Sequence, residues 1–172
     1  MQFNVVSLLK ETAGATREYD VDAADVTSDG EAVTMTGHVR FDRTSRGIFV
    51  RARFDGTHGD VCSRCLKPVS FPVHIEFEEE YLPTVDVVSG VPVQLEDGDE
   101  EAYRISPNHI IDLDEPAREY WALALPMAPL CTGDCPGLCP LCGAELSDIR
   151  HTCTREQVDA RWAKLAGLRE RL

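Results

Sequence analysis

Seven residues of the chain are cysteines, at positions 62, 65, 131, 135, 139, 142 and 153. Four of them crowd into the stretch CTGDCPGLCPLCG, from Cys131 to Gly143. Cys62-Ser-Arg-Cys65 and Cys139-Pro-Leu-Cys142 are Cys-x-x-Cys pairs. This spacing suits zinc: one tight turn aims both thiolates at a single ion, and a tetrahedral structural site then needs two further ligands. Gly143 follows the second pair, and a residue free to take positive φ there lets backbone N–H groups turn toward the sulfurs. Seven thiols complete one site and leave three over. His151, in His151-Thr-Cys153, is the natural eighth ligand, otherwise an exposed loop histidine.

The count then closes as two sites of four ligands. In chain order, the first would hold Cys62, Cys65, Cys131 and Cys135, tying a sheet to the end of a helix. The second would hold Cys139, Cys142, His151 and Cys153. The competing pairing joins the two Cys-x-x-Cys turns into one ribbon and leaves Cys131, Cys135, His151 and Cys153 together. Chain order is favoured because ligands close in sequence cost less loop entropy to gather. A redox-active pair is the rival chemistry, since a low-pKa Cys-x-x-Cys can be a redox site. Neither pair, however, sits at the strand-to-helix junction of a βαβ pattern. Catalytic zinc needs an open coordination position and a general base. A site ringed by four protein ligands offers neither, so no catalytic residue is assigned. His38, His58, His74 and His109 lack partners at ligand spacing and read as structural or solvated.

The 172 residues suffice for a domain with its own core. Nothing after Met1 has the basic start and apolar run of a signal peptide, and no apolar run reaches a membrane span. The expectation is a soluble cytoplasmic protein, in a compartment where stable disulfides are uncommon. The net charge of −13 argues against simple nonspecific nucleic-acid binding. The charge is unevenly placed. Residues 150–172 carry +3, whereas no Lys or Arg falls between Lys67 and Arg104. That interval is rich in acid, including Glu76, Glu78, Glu79, Glu80, Asp86, Glu96, Asp97, Asp99, Glu100 and Glu101. It is either a solvated face or a docking surface for a basic partner.

The elements that must position the cysteines come next. Residues 32–42 alternate, with Val33, Met35, Val39 and Phe41 on one face, and predict a half-buried strand. A polar turn leads to "IFVRARF", where Ile48, Val50, Ala52 and Phe54 share a face; the two strands read as a hairpin. "VSFPVHIEF" is a third strand, in which Pro72 points to an edge position or a bulge. Consecutive strands with short links predict an antiparallel sheet with one wet face, open or closed into a barrel. Residues 83–101 read as a mobile acidic loop or insertion. In "DLDEPAREYWALALP", Leu113, Ala117, Tyr120, Trp121 and Ala124 recur at helical spacing. Asp112 and Glu115 suggest a capping box, and Pro126 a stop. A short amphipathic helix is predicted over the last segment, with Val158, Trp162, Leu165, Leu168 and Leu172 on one stripe. The fold class is thus α+β. Residues 1–130 form the sheet and helix, and residues 131–172 a zinc-binding segment with the terminal helix, the two parts packing as one compact domain.

At this point the chain resembles the YceD family, the large ribosomal RNA subunit accumulation proteins. The resemblance lies in "CSRCLKPVSFPVHIEFEEEY" at 62–81, "IDLDEPAREYWALALPMAPLC" at 111–131, "CPGLCPLCGAEL" and the terminal "ARWAKLAGL". Family members commonly close the second cluster with Cys-x-Cys, where this chain has His151-Thr-Cys153. The resemblance implies a cytoplasmic, non-enzymatic factor that supports accumulation or processing of large-subunit ribosomal RNA during ribosome assembly. Its partners would be ribosomal RNA, basic ribosomal proteins or assembly factors, with no membrane and no small-molecule substrate. The basic hairpin (Arg40, Arg43, Arg46, Arg51 and Arg53) is one candidate RNA or partner surface, unless these arginines are paired with the acidic segments on a solvated face. The terminal helix, with Arg161 and Lys164, is a second.

Overall fold

The computed structural model describes residues 1–28, 31–94, 98–99, 102–147 and 151–153. In chain order the elements are β1 (Gln2–Asn4), α1 (Val6–Leu9), β2 (Thr16–Ser28), β3 (Glu31–Arg43), β4 (Ile48–Val61), β5 (Pro68–Pro83), β6 (Tyr103–Ile105), β7 (Ile110–Asp112) and α2 (Asp114–Ala124). The chain divides into two compact units. The first is Met1–Gly59 with Ser70–Met127; the second is Asp60–Val69 with Ala128–Leu172. The sequence reading sets its boundary at 130/131, whereas the spatial grouping carries Asp60–Val69 into the second unit.

The main sheet has five strands in the order β2-β3-β4-β5-β6. The β2–β3 and β3–β4 pairs are antiparallel, with Tyr19 opposite Val39 and Val39 opposite Ala52. One feature differs from expectation, and one open alternative is resolved. The sheet is mixed, because β6 joins β5 in parallel through Tyr81↔Tyr103, Leu82↔Arg104 and Pro83↔Ile105. A parallel pair needs a crossover of a dozen residues or more, and the acidic stretch supplies that length. Among the described residues the sheet is also open, with β2 and β6 at its edges, and is not a closed barrel. β1 and β7 form a separate two-stranded antiparallel ribbon.

The alternation in the sequence predicts the buried face correctly. Val33, Met35, Val39, Phe41, Ile48, Val50, Ala52, Phe54, Val73, Ile75 and Phe77 are all buried, whereas Val69 and Phe71, expected on the same face, are only half-buried. β6 pairs with β5 only at Tyr81–Pro83, so Pro72 lies on a stretch of β5 that β6 leaves unpaired, an edge position of the kind a proline tolerates. The helix α2 lays Leu113, Ala117 and Trp121 against this core. Trp121 approaches Gly56 so closely that a Cβ there would lie 2.9 Å from the indole ring. Ala124, expected on the same stripe, is exposed.

The expected capping box does not form. Leu113 occupies the N-cap position without a side-chain bond, while the Asp112 carboxylate accepts the Asp114 N–H at 2.9 Å. The helix ends at Leu125, whose extended backbone is what the following Pro126 requires. The described part of the acidic stretch begins with a bridged turn. Val85 faces Pro92, the Asp86 N–H donates to Val91 at 2.9 Å, and Gly90 closes the turn on Asp86 at 2.9 Å. Glu96, Asp97, Glu100 and Glu101 lie outside the described residues, as does the predicted terminal helix.

Candidate metal centre

The turn after β4 begins the site. In Cys62–Lys67 the Cys62 N–H donates to the Lys67 carbonyl at 2.8 Å, and the Leu66 N–H returns to the Cys62 carbonyl at 2.9 Å. Cys139–Ala144 repeats the pattern: Cys139 N–H to Ala144 at 2.7 Å, and Gly143 N–H to Cys139 at 2.9 Å. Both Cys-x-x-Cys pairs are therefore closed knuckles of one shape, each presenting two thiols to one side. The residue after the second cysteine is left-handed in both, Leu66 at φ 59° and Gly143 at φ 74°.

The structure gathers the eight expected ligands into two groups of four, Cys62, Cys65, Cys131 and Cys135, and Cys139, Cys142, His151 and Cys153. This is the chain-order arrangement, not the ribbon that would join the two knuckles. Within each group the ligand atoms all lie within 4.8 Å of one another. Cys62 Sγ is 3.8 Å from Cys135 Sγ, Cys65 Sγ is 3.6 Å from Cys131 Sγ, and Cys142 Sγ is 3.4 Å from His151 Nε2. These separations are far beyond the roughly 2.05 Å of a disulfide. They match the edges of a tetrahedron about a cation with bonds near 2.3 Å to sulfur and 2.0–2.1 Å to nitrogen, which would be about 3.8 Å and 3.6 Å. Each group could hold a metal ion.

Local backbone bonds place the first group. The Ser63 N–H donates to the Pro129 carbonyl at 2.8 Å, and the Leu138 N–H to the Arg64 carbonyl at 3.2 Å. The Arg64 guanidinium reaches the Cys135 carbonyl at 2.9 Å. Gly137, at φ 80°, brings its backbone against Arg64 so closely that a Cβ would sit 3.0 Å from the Arg64 oxygen. Lys67 pairs with Glu145 at 2.7 Å. Cys62, Cys135 and Cys139 are buried, while Cys131, Cys142 and Cys153 are exposed.

The thiols are electrostatically unequal. N–H groups of the first knuckle, that of Cys65 first, face the Cys62 sulfur and lower its pKa to about 6 against the effect of burial. At Cys65 the Lys67 N–H favours the thiolate, but burial and the neighbouring sulfurs of Cys62 and Cys131 outweigh it and the pKa rises. Burial, reinforced by the sulfurs around it, pushes Cys135 up to about 12. The second group repeats the split. The Leu141 and Cys142 N–H groups lower Cys139, whereas desolvation and the sulfurs of Cys139 and Cys142 push Cys153 up to about 11. Each tetrad thus has one sulfur, Cys62 or Cys139, whose thiolate is favoured by knuckle N–H groups, and another, Cys135 or Cys153, whose thiolate is disfavoured by burial. A divalent cation at the centre inverts that preference, deprotonating the coordinating thiols.

The arginines of the hairpin do not form a free basic surface. Arg40 pairs with Asp42 at 3.0 Å and with Glu18 at 3.4 Å. Arg51 bridges Asp42 at 2.6 Å and Glu78 at 3.2 Å, and Arg53 pairs with Glu76 at 2.7 Å. Arg43 donates to the Gly47 carbonyl at 2.9 Å, and Arg46 pairs with the buried Asp99. Arg40, Arg51 and Arg53 thus lie on a solvated face with carboxylates beside each guanidinium. Arg161 and Lys164 lie outside the described residues. His38 and His74 bond Asp20 and Asp55 at 2.9 and 2.8 Å, and the His58 ring packs against Phe71 and Trp121.

The chain matches the family described as "Large ribosomal RNA subunit accumulation protein YceD" over residues 50–169. It is 34% identical over 128 residues to an uncharacterized protein of Mycobacterium tuberculosis, and equally to one of Mycobacterium bovis, covering 74% of this chain and 58% of each relative. An uncharacterized protein of Mycobacterium leprae is 28% identical over 130 residues, covering 76% of this chain and 57% of that one. The chain therefore spans little more than half the length of these relatives. No solved structure matches it. No helix among the described residues is long and apolar enough to cross a membrane. The family match takes in all eight ligand positions and both knuckles, and the chain belongs to the YceD family, the large ribosomal RNA subunit accumulation proteins.

Proposed function

We propose that this protein is a non-enzymatic cytoplasmic factor of ribosome biogenesis, supporting accumulation or processing of large-subunit ribosomal RNA, with two zinc ions as structural staples. The family match over residues 50–169 carries the ribosomal part of this reading. The spacing of the two tetrads supports the metal: Cys62, Cys65, Cys131 and Cys135 would hold one zinc, and Cys139, Cys142, His151 and Cys153 the other. When bound, zinc would supply charge neutralisation and cross-linking, and the chain's own residues supply the shape. With four protein ligands at each site, neither leaves a position for a reacting water.

The partner would be ribosomal RNA, a basic ribosomal protein or another assembly factor. With the hairpin arginines paired in cis, the acidic character of the chain supports a basic protein as the first contact. Affinity capture from a lysate, with and without ribonuclease, tests the role. Enrichment of ribosomal proteins or large-subunit RNA is expected; enrichment of neither overturns it. Metal analysis tests the staples. Two tightly bound zinc ions per chain are expected, whereas a metal-free chain with a reducible Cys62–Cys65 bond would make it a redox-responsive thiol protein instead.

A further inference from the structure

We propose that the two tetrads hold metal unequally: Cys139, Cys142, His151 and Cys153 form an exchangeable site, and Cys62, Cys65, Cys131 and Cys135 a permanent one. This deepens the metal reading above and rests on it.

Three observations point the same way. The first is support from the backbone. The halves of the first site are fastened by bonds that need no metal: Ser63 to Pro129 at 2.8 Å, Leu138 to Arg64 at 3.2 Å, and the Arg64 guanidinium to Cys135 at 2.9 Å. Among the described residues, no backbone hydrogen bond joins 151–153 to the knuckle at Cys139–Ala144. The contact between the two halves is made by the ligand atoms themselves, as in Cys142 Sγ to His151 Nε2 at 3.4 Å. The second is access. Two of the four ligands in the first site are buried, against one in the second, where Cys142 and Cys153 are exposed. A competing chelator attacks a metal through its exposed ligands, one bond at a time. The third is the donor set. Four thiolates neutralise a soft-to-borderline dication more fully than three thiolates and a neutral imidazole.

Loop length argues the other way. Only eight residues separate Cys142 from His151, while the first site closes across the long stretch from Cys65 to Cys131. Loop entropy, however, grows only slowly with length. In the folded unit it has already been met by the bonds that fasten the first site, so the metal there finds a preorganised cage. Metal supply would then act on residues 139–153 and leave the first site in place.

The test is zinc transfer from the two-zinc protein to an excess of 4-(2-pyridylazo)resorcinol, followed by absorbance. Two phases of one equivalent each are expected, at least tenfold apart in rate. His151→Cys, which keeps four ligands, should slow the fast phase several-fold and leave the slow phase unchanged. Cys142→Ser should remove the fast phase alone. With cobalt in place of zinc, the ion that remains after the first equivalent departs should show the intense sulfur-to-metal charge transfer of a four-thiolate site. Release of both equivalents in one phase, or loss of the slow phase in Cys142→Ser, overturns the proposal. A chain that binds no zinc overturns the metal reading itself, a separate and distinguishable result.

Discussion

Leu66 stands in the first knuckle where Gly143 stands in the second. Both are left-handed, at φ 59° and 74°, and both return their N–H to the first cysteine of the pair at 2.9 Å. For a residue with a Cβ this conformation costs roughly 1–2 kcal/mol. Leu66 bears it although its side chain is 63% exposed and gains little burial in return. Leu66→Gly is therefore expected to be neutral or to stabilise the knuckle by up to about 1 kcal/mol, the relief of strain being partly offset by greater freedom in the unfolded chain. Gly143→Leu is expected to cost about 1–2 kcal/mol, even though nothing lies within 4 Å of a Cβ built there. Amide exchange at the position after each knuckle's second cysteine reads both effects. A stabilising Gly143→Leu would contradict the equivalence of the two turns.

Removing one ligand should be felt only where that ligand's metal sits. Cys142→Ser is expected to lower bound zinc from two equivalents to one and to deprotect residues 139–153, leaving exchange protection at 62–67 and through the β3–β4 pairing unchanged. Cys65→Ser should also leave one equivalent, but with lowered protection at 62–67 and 131–135. Binding energies of structural zinc sites, on the order of 10–16 kcal/mol in peptides, rival a whole domain's stability of roughly 5–15 kcal/mol. At the second site the loss should therefore be a local unfolding, whereas at the first the bonds that need no metal, such as Ser63 to Pro129 at 2.8 Å, should leave a weakened but folded turn.

Asp42 sets part of the response to acid. Its carboxylate accepts the Thr16 hydroxyl at 2.8 Å, Arg40 Nε at 3.0 Å and Arg51 Nη1 at 2.6 Å. Burial alone would raise its pKa, but these hydrogen bonds and guanidinium charges outweigh it and hold the group below the usual carboxylate range. A carboxyl depressed in the folded state contributes its stability above the unfolded pKa, near 3.8, and loses it as pH falls through the folded value. Asp42→Asn should thus destabilise the sheet by about 1 kcal/mol at pH 7. The difference should shrink as pH is lowered from 7 to below 3.8. Denaturant titrations of both proteins at the two pH values check this; an equal difference at both would refute it.

Gly47 is required by a close approach. It closes the β3–β4 turn by donating its N–H to the Thr44 hydroxyl at 2.9 Å. A Cβ there would fall 2.1 Å from the Tyr81 carbonyl oxygen, a backbone atom that cannot swing aside. Gly47→Ala is expected to cost roughly 1–3 kcal/mol through a forced backbone shift. A melting temperature within a degree of the parent would refute the close approach.

The strands β3, β4 and β5 and the helix α2 could be read from the chain because each carries one unbroken period. Val33 to Phe41 and Ile48 to Phe54 alternate over enough residues to declare a face. Other parts could not be read. In β2 the pairing register shifts between Val21 and Ala24, so Tyr19 and Val26 fall out of phase, and its edge position leaves Tyr19 39% exposed. β1, β6 and β7 span three residues each, too few for any period, and exist because a neighbour offers a free edge. The hairpin arginines looked like a basic surface in the sequence. Glu18, Glu76 and Glu78, which answer them, come from the flanking strands and are set opposite only by the register.

By itself the sequence determined the candidate ligand types, their number and the two knuckles. These follow from side-chain chemistry and from turns of four residues, in which the chain has little choice. It also determined the buried face of the sheet, because a period of two admits only one apolar side. Tertiary structure alone decided which knuckle joins which partner. Cys62 and Cys135 are 73 residues apart and meet with sulfurs 3.8 Å apart, a juxtaposition set by the bonds between Ser63 and Pro129 and between Arg64 and Leu138. Loop entropy favours the chain-order pairing by a small, slowly varying amount, whereas directional backbone hydrogen bonds select one geometry and exclude the ribbon.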